Sequence, residues 1–271
     1  MSRKRPEFFE VKPASGTGAD DRHFVVALAR GLEVLASFRK GETLLGNQEI
    51  AARSGLPKST VSRLTYTLSK LGYLHYVDQA AKYRLGTAVL ALGTSMLARL
   101  DVRNVARPLI EQLAISARVS SALGARDRLS MVYIESFYGY TSVSLTLEVG
   151  SRISISTSAM GRAFLAVCSE ETRRSILDEI RPLNKAAWPR TRDAIAKAIE
   201  DHRTLGCACS FGEWQAGVNA IASAFNPGGG LPPMVINCGA PDTVASQDYL
   251  LDEVRPKLIS ITRRLEGSMG L

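Results

Sequence analysis

Between Asn47 and Gly72 two helical patterns of apolar residues meet across only Gly55-Leu56-Pro57. Ile50 and Ala51 are the inward positions of the first pattern. Val61, Leu64, Leu68 and Leu71 recur at helical spacing in the second. Glycine takes the left-handed conformation that ends a helix, and proline fits a helix's first turn but not its interior. A chain punctuated in this way cannot run on as one helix. It must turn a tight corner, and its two short helices must bury one face each against something else. Upstream, Val25, Leu28, Ala29, Leu32 and Leu35 mark a further helix, with Asp20 or Asp21 as its N-cap and Gly41 as its end. Downstream, Gly72 closes the Pro57 helix, and residues 73–77 and 82–85 read as strands around a polar turn at 78–81.

Helix, helix, tight turn, helix and two-stranded ribbon within residues 22–85 is the plan of a winged helix-turn-helix. The apolar stripe of the third helix leaves Lys58, Ser59, Thr60, Ser62 and Arg63 on its other faces. Small hydroxyls near a helix N-terminus suit phosphates and base edges, and Arg63 suits a guanine or a phosphate. Gln48, at the start of the second helix, is placed to meet a phosphate. Lys82, Tyr83 and Arg84 on the ribbon would track a minor groove or the backbone. Charge agrees with this division. The chain carries a net +8, and residues 1–85 hold 14 Lys/Arg against 8 Asp/Glu, whereas residues 86–271 hold 20 against 18. A polyanionic partner for the first third follows.

Residues 1–21 lack periodicity and are rich in Lys, Arg, Pro, Gly and Ser, which predicts a disordered tail whose Arg3, Lys4 and Arg5 would lie near a phosphate backbone. No secretory signal is visible there, and the longest uncharged stretch, 214–241, is broken by Asn226-Pro-Gly-Gly-Gly-Leu-Pro-Pro233. The chain therefore reads as soluble and cytoplasmic, without a membrane span. Residues 86–98 carry no charge, and Val89, Leu90, Leu92, Met96, Leu97 and Leu100 make a widely apolar helix. It reads as a linker over 86–100 that packs on another subunit or within its own chain. From 101 to 271 the pattern mixes helix and strand: helices near 101–118, 158–167, 170–179 and 191–204, and strands near 120–125, 130–136, 143–147, 217–225 and 234–238. Arg126-Asp127-Arg128 would be a turn, and Pro256 should kink or split the last helix. The fold class is thus α+β, with an N-terminal winged helix-turn-helix, a linker helix and a C-terminal α/β domain.

Three stretches are similar to the IclR-type bacterial transcriptional regulators. They are Glu49-Ile-Ala-Ala-Arg-Ser-Gly-Leu-Pro-Lys-Ser-Thr-Val-Ser-Arg-Leu64 with Leu71-Gly-Tyr-Leu74, then Gly150-Ser-Arg-Ile-Ser-Ile-Ser-Thr-Ser-Ala-Met-Gly-Arg-Ala-Phe-Leu-Ala166, and Gly217-Val-Asn-Ala-Ile-Ala-Ser223 with Gly239-Ala-Pro241. The resemblance spans residues 23–271. It implies a GAF-like effector-binding domain, homodimers or homotetramers on palindromic operator DNA, and repression or activation set by a small metabolite, often a carboxylate. It carries an effector site over to Ala159 and Met160, and to Ser210, Ala220, Asn237 and Gly239. The sequence departs from the family at Arg162, at Ile236-Asn237-Cys238 and over 207–213, which leans toward a less polar, aromatic acid.

The residues themselves point the same way. Ser158-Ala159-Met160-Gly161 opens a helix, whose free N–H groups favour an anion, and Ser144 and Leu147 would line the same space. Cys207 and Cys209 with His202 fall short of the four ligands of a structural zinc site, so neither metal nor cofactor is expected. Cys238 would line the pocket. There is no P-loop, no H-E-x-x-H and no G-x-S-x-G. The reading is a ligand-controlled regulator without enzymatic activity. A nonspecific DNA-architectural protein, or an enzyme with a vestigial helix-turn-helix, are the alternatives.

Overall fold

A computed structural model of the chain describes residues 23–39, 41–98, 101–139 and 147–267. They form two compact units that divide between residues 99 and 100. The tail expected over 1–21 and the N-caps foreseen at Asp20 and Asp21 lie outside the described residues.

The first unit comprises α1 (Val26–Ala36), α2 (Asn47–Ser54), α3 (Lys58–Lys70), β1 (Leu74–Val77), β2 (Lys82–Leu85) and α4 (Thr87–Ala98). Its core is Val34, Leu45, Ile50, Val61 and Leu74. Gly55 ends α2 at φ 72°, the left-handed conformation the corner needs. α1 is shorter than its periodicity suggests, ending at Ala36 rather than near Gly41, and Val25, Leu28 and Leu32 are exposed. Of the expected stripe Leu35 does pack on the core, and Val34 joins it. On α3, Leu71 is exposed because the helix stops at Lys70, and Thr65 takes an inward place. That buried hydroxyl bonds to Val61 O at 3.0 Å and lies 3.2 Å from Asn47 Oδ1, tying α3 to α2. Residues 43–45 add a contact not foreseen: Leu45 pairs with Tyr83, which anchors the ribbon to the core.

The second unit comprises α5 (Asp101–Ala117), β3 (Ser120–Asp127), β4 (Ser130–Tyr138), β5 (Arg152–Ser154), α6 (Ala159–Val167), α7 (Glu170–Ile180), α8 (Trp188–Leu205), β6 (Ala208–Phe211), β7 (Val218–Phe225), β8 (Met234–Pro241), a short α9 (Gln247–Tyr249) and α10 (Arg255–Leu265). The strands form one antiparallel sheet in the order β5-β4-β3-β8-β7-β6. α5 and α10 pack on one face, and α6, backed by α8, on the other. The β3–β4 hairpin turns later than expected. Asp127 pairs with Ser130, and Arg128 takes a positive φ of 56°. Pro256 does split the C-terminal helix: it sits in the first turn of α10, where its missing N–H costs nothing, after a π-helical turn at Leu250–Val254. The strand expected at 143–147 lies outside the described residues except for Leu147, which is not in a strand.

One irregularity positions the site. Along β3 and β4, Leu123 pairs with Glu135 but Gly124 pairs with Tyr133, so Ile134 is an inserted residue, a β-bulge. A bulge breaks the two-residue alternation of faces. Tyr133 and Ser136 consequently share the α6 face, while Glu135 turns to the other, where it meets Arg103 at 2.8 Å and Arg107 at 2.9 Å on α5.

Candidate functional site

The first surface belongs to α3. Ser59, Ser62, Arg63 and Tyr66 follow the i, i+3, i+4, i+7 rule along its exposed face, opposite buried Val61 and Thr65. Lys58 is exposed beside them and Thr60 is half-buried. Ser62 Oγ receives a hydrogen bond from Asn47 Nδ2 at 3.3 Å, so its lone pairs are partly engaged. Gln48 stands exposed on α2. Of Lys82, Tyr83 and Arg84 on the ribbon, only Arg84 is exposed. Lys82 pairs with Glu49 at 2.9 Å, and that Glu49 also accepts from Gly46 N at 2.8 Å at the start of α2. Both bonds hold the Glu49 carboxyl below its ordinary pKa, the backbone bond most. Tyr83 stacks on Tyr76 with ring centroids 4.9 Å apart. This arrangement presents hydroxyls and a guanidinium on one helix face, beside a ribbon braced by its own contacts.

The second site is a cavity of about 40 Å³ on the α6 face of the sheet. It brings together Leu147, Ser158, Ala159, Ser210, Ala220, Asn237 and Gly239. Met160 and Gly161 are not in its lining. The Met160 side chain is fully buried in the core against Gly124, and Gly161 lies tight against the Ile155 backbone. Cys238 does not line it either. Side chains alternate along β8, and Cys238 faces the other way, 3.7 Å from Ser121 Oγ, with burial pushing its thiol up to about 12. Ser144 lies outside the described residues. Sequence reading missed Tyr133 and Ser136 in the wall, because both β4 residues depend on the bulge; Trp214 lines it as well.

Among the described residues no Asp, Glu, Lys, Arg or His lines this cavity. The buried cation of α6, Arg162, is spent elsewhere: it pairs with Glu213 and donates to Ser156 O and Cys209 O, each at 3.1 Å. Ser158 caps α6 by accepting from Gly161 N at 3.0 Å. The N–H groups of Ala159 and Met160 precede the intrahelical ladder and remain as donors at that end. Ser210 donates to Thr157 O at 2.8 Å. Asn237 donates to Tyr133 Oη at 3.3 Å. Burial raises the Tyr133 phenol well above its ordinary value, so it holds its proton.

Cys207 and Cys209 are free thiols, and the hydrogen bond between them raises Cys207 and lowers Cys209. His202 does not join them: its Nε2 accepts from Ala224 N at 3.4 Å. Among the described residues no three His, Cys, Asp or Glu side chains group as a metal site, and no helix is long and apolar enough to cross a membrane.

A helix-turn-helix with a ribbon, followed by an α/β unit holding a cavity against its sheet, defines a regulator with a DNA-reading and an effector-binding part. Comparison with known proteins agrees. Residues 27–78 match the model of the IclR helix-turn-helix domain, and residues 94–265 that of the bacterial transcriptional regulator IclR C-terminal domain. The chain belongs to the IclR family of transcriptional regulators. It is 32% identical over 257 residues to the HTH-type transcriptional regulator TsaQ1/TsaQ2 of Comamonas testosteroni, covering 94% of this chain and 90% of that one. An IclR family transcriptional regulator from Brucella abortus superposes with a TM-score of 0.82 at 41% identity, over 93% of this chain and 95% of that one. An IclR homologue from Microbacterium hydrocarbonoxydans, solved in complex with 4-hydroxybenzoate, shares the fold at a TM-score of 0.68 and 24% identity, over 88% and 99%.

Proposed function

We propose that this chain reads a palindromic operator through α3 and the ribbon of residues 22–85, and releases or tightens it when a small organic acid enters the cavity of residues 101–271. Residues 86–100 link the two. The observation that carries this reading is the uncharged, hydroxyl- and aromatic-lined cavity whose one end is the N-terminus of α6. The helix N–H groups at that end can donate to a carboxylate, and Tyr133 and Trp214 offer apolar surface to a ring. An aromatic acid suits these walls better than a polyanion, which would want cations.

A switch needs an acid that binds one conformation of these walls better than another. Differential affinity of that kind is what moves an equilibrium. A dimer is part of the proposal. Leu90, Leu92 and Met96 of α4 are all more than half exposed, and an apolar helix in this position calls for a partner copy. Action in the cytoplasm on the nucleoid, and the absence of catalysis, belong to the same reading.

Fluorescence anisotropy on DNA upstream of the coding region tests it, with and without benzoate, hydroxybenzoates and short aliphatic acids. A salt-sensitive signal is expected, preferring that DNA over random sequence by about 10³-fold and altered by one acid, with two chains per site. Arg63→Ala should weaken it by about 10- to 100-fold with unchanged Tm. Equal affinity for random DNA and indifference to every acid would favour an architectural DNA-binding protein instead.

A further inference from the structure

We propose that the Asn237–Tyr133 pair in the cavity wall reads a hydroxyl group on the effector, selecting hydroxyl-bearing acids over analogues that lack one. This rests on the reading of the cavity as the effector site.

The pair is built by small residues. Tyr133 on β4 and Asn237 on β8 stand on the two strands that flank β3. Between them β3 offers only Ala122 and Gly124 on that face, and the bulge at Ile134 sets Tyr133 opposite Gly124. Both side chains can therefore reach across β3 and meet, with Asn237 Nδ2 at 3.3 Å from Tyr133 Oη. Asn237 is 9% exposed and Tyr133 5%.

Each leaves one polar function unused. Asn237 Oδ1 is buried and has no hydrogen-bond partner among the described residues. Tyr133 Oη receives the amide's hydrogen, and its own O–H meets no acceptor among the described residues. The unused acceptor and the unused donor thus sit side by side on two residues that both line the cavity. This does not depend on which way the amide is drawn. If it is reversed, the phenol donates to Oδ1, the amide N–H faces the cavity, and the phenol oxygen becomes the acceptor.

One donor beside one acceptor complements a group that both gives and takes a hydrogen bond. A hydroxyl is the smallest such group, and it fits where space is scarce. A carboxylate only accepts and would oppose Oδ1. A hydrocarbon would leave both groups unpaired in a dry site, and sites built for a hydroxyl reject the analogue without it for that reason. The carboxylate end is left to the Ala159 N–H at the N-terminus of α6, which lines the same cavity.

Calorimetric titration of the full chain with benzoate and with 2-, 3- and 4-hydroxybenzoate tests this. At least one hydroxylated isomer should bind about 10- to 100-fold more tightly than benzoate. Tyr133→Phe, which keeps the ring, and Asn237→Ala should each cut that ratio to about 3-fold or less, with Tm reporting that both variants fold. Parity of all four acids in the parent chain, or a ratio that survives both substitutions, overturns the inference and leaves the effector site standing. If none of the four acids binds, the aromatic-acid reading of the cavity falls, and this inference falls with it.

Discussion

His202 shows how one buried side chain ties stability to pH. Its Nε2 accepts from the Ala224 N–H on β7, which requires an unprotonated nitrogen. Burial holds the imidazole below its ordinary value of 6.5, so the folded chain takes up a proton less readily than the unfolded one. The sign follows from linkage. Above about pH 6.5 both states are neutral and the full stabilisation is present. As pH falls below that, the unfolded chain protonates first, and stability is lost until the folded pKa has been passed. Tm of the parent chain should fall more steeply between about pH 7 and pH 5 than that of His202→Gln, whose amide can still accept from Ala224. Parallel curves would show that His202 titrates alike in both states. Residue-level roles were unevenly legible in the sequence. Asn237 stood out because it departs from a familiar motif, and Ser158 because it precedes a helix. Tyr133 gave no sign, since its face depends on an insertion in β4 that shows only when β3 is laid beside it. Lys82 and Tyr83 stand among exposed-looking polar residues in the sequence, but the ribbon's register and the Leu45 bridge turn them toward Glu49 and Tyr76.

At the scale of elements, α6 and the α2–α3 corner place opposite demands on glycine. Gly161 lies inside a helix, where alanine is ordinarily better by about 1 kcal/mol. Here a Cβ would stand 2.2 Å from the Ile155 carbonyl oxygen and 2.3 Å from its Cα, and backbone cannot step aside cheaply. α6 thus packs on the segment leading from β5 at a distance only glycine allows, and that closeness sets Ser158 and Ala159 in the cavity wall. At Gly55 nothing lies within 4 Å of an added Cβ, and the cost is the positive φ alone. Urea denaturation should show Gly161→Ala losing about 2–3 kcal/mol, and Gly55→Ala about 1–2 kcal/mol. A stabilised Gly161→Ala would mean that α6 can move off Ile155, and the cavity wall with it. The same contrast explains what was legible among the elements. Punctuation by Gly and Pro gave the corner, the ribbon and most helices. The extent of α1 and the inward side of its stripe were not available, because periodicity marks a face without naming the neighbour that covers it.

For the whole molecule, regulation is a coupling of two binding equilibria, and thermodynamics constrains it without reference to how the two units are arranged. If an acid in the cavity changes operator affinity by some factor, the operator must change affinity for that acid by the same factor. The two sides also respond differently to salt. The operator side draws on the excess of Lys and Arg in residues 1–85 and should weaken steeply as salt rises, because bound phosphates release counterions. The effector side, with no charged residue in its wall among the described residues, should change little. Measuring the acid's Kd with and without saturating operator, and the operator's Kd with and without saturating acid, at one salt concentration, should give two ratios that agree, within the range of about 5- to 150-fold usual for such coupling. Raising the salt should shift both operator affinities together and leave the ratio nearly fixed. Ratios near one in both directions would show that the acid fills the cavity without reaching the DNA-reading unit. Ratios that agree but collapse as salt rises would place the coupling in surface charge rather than in the cavity walls.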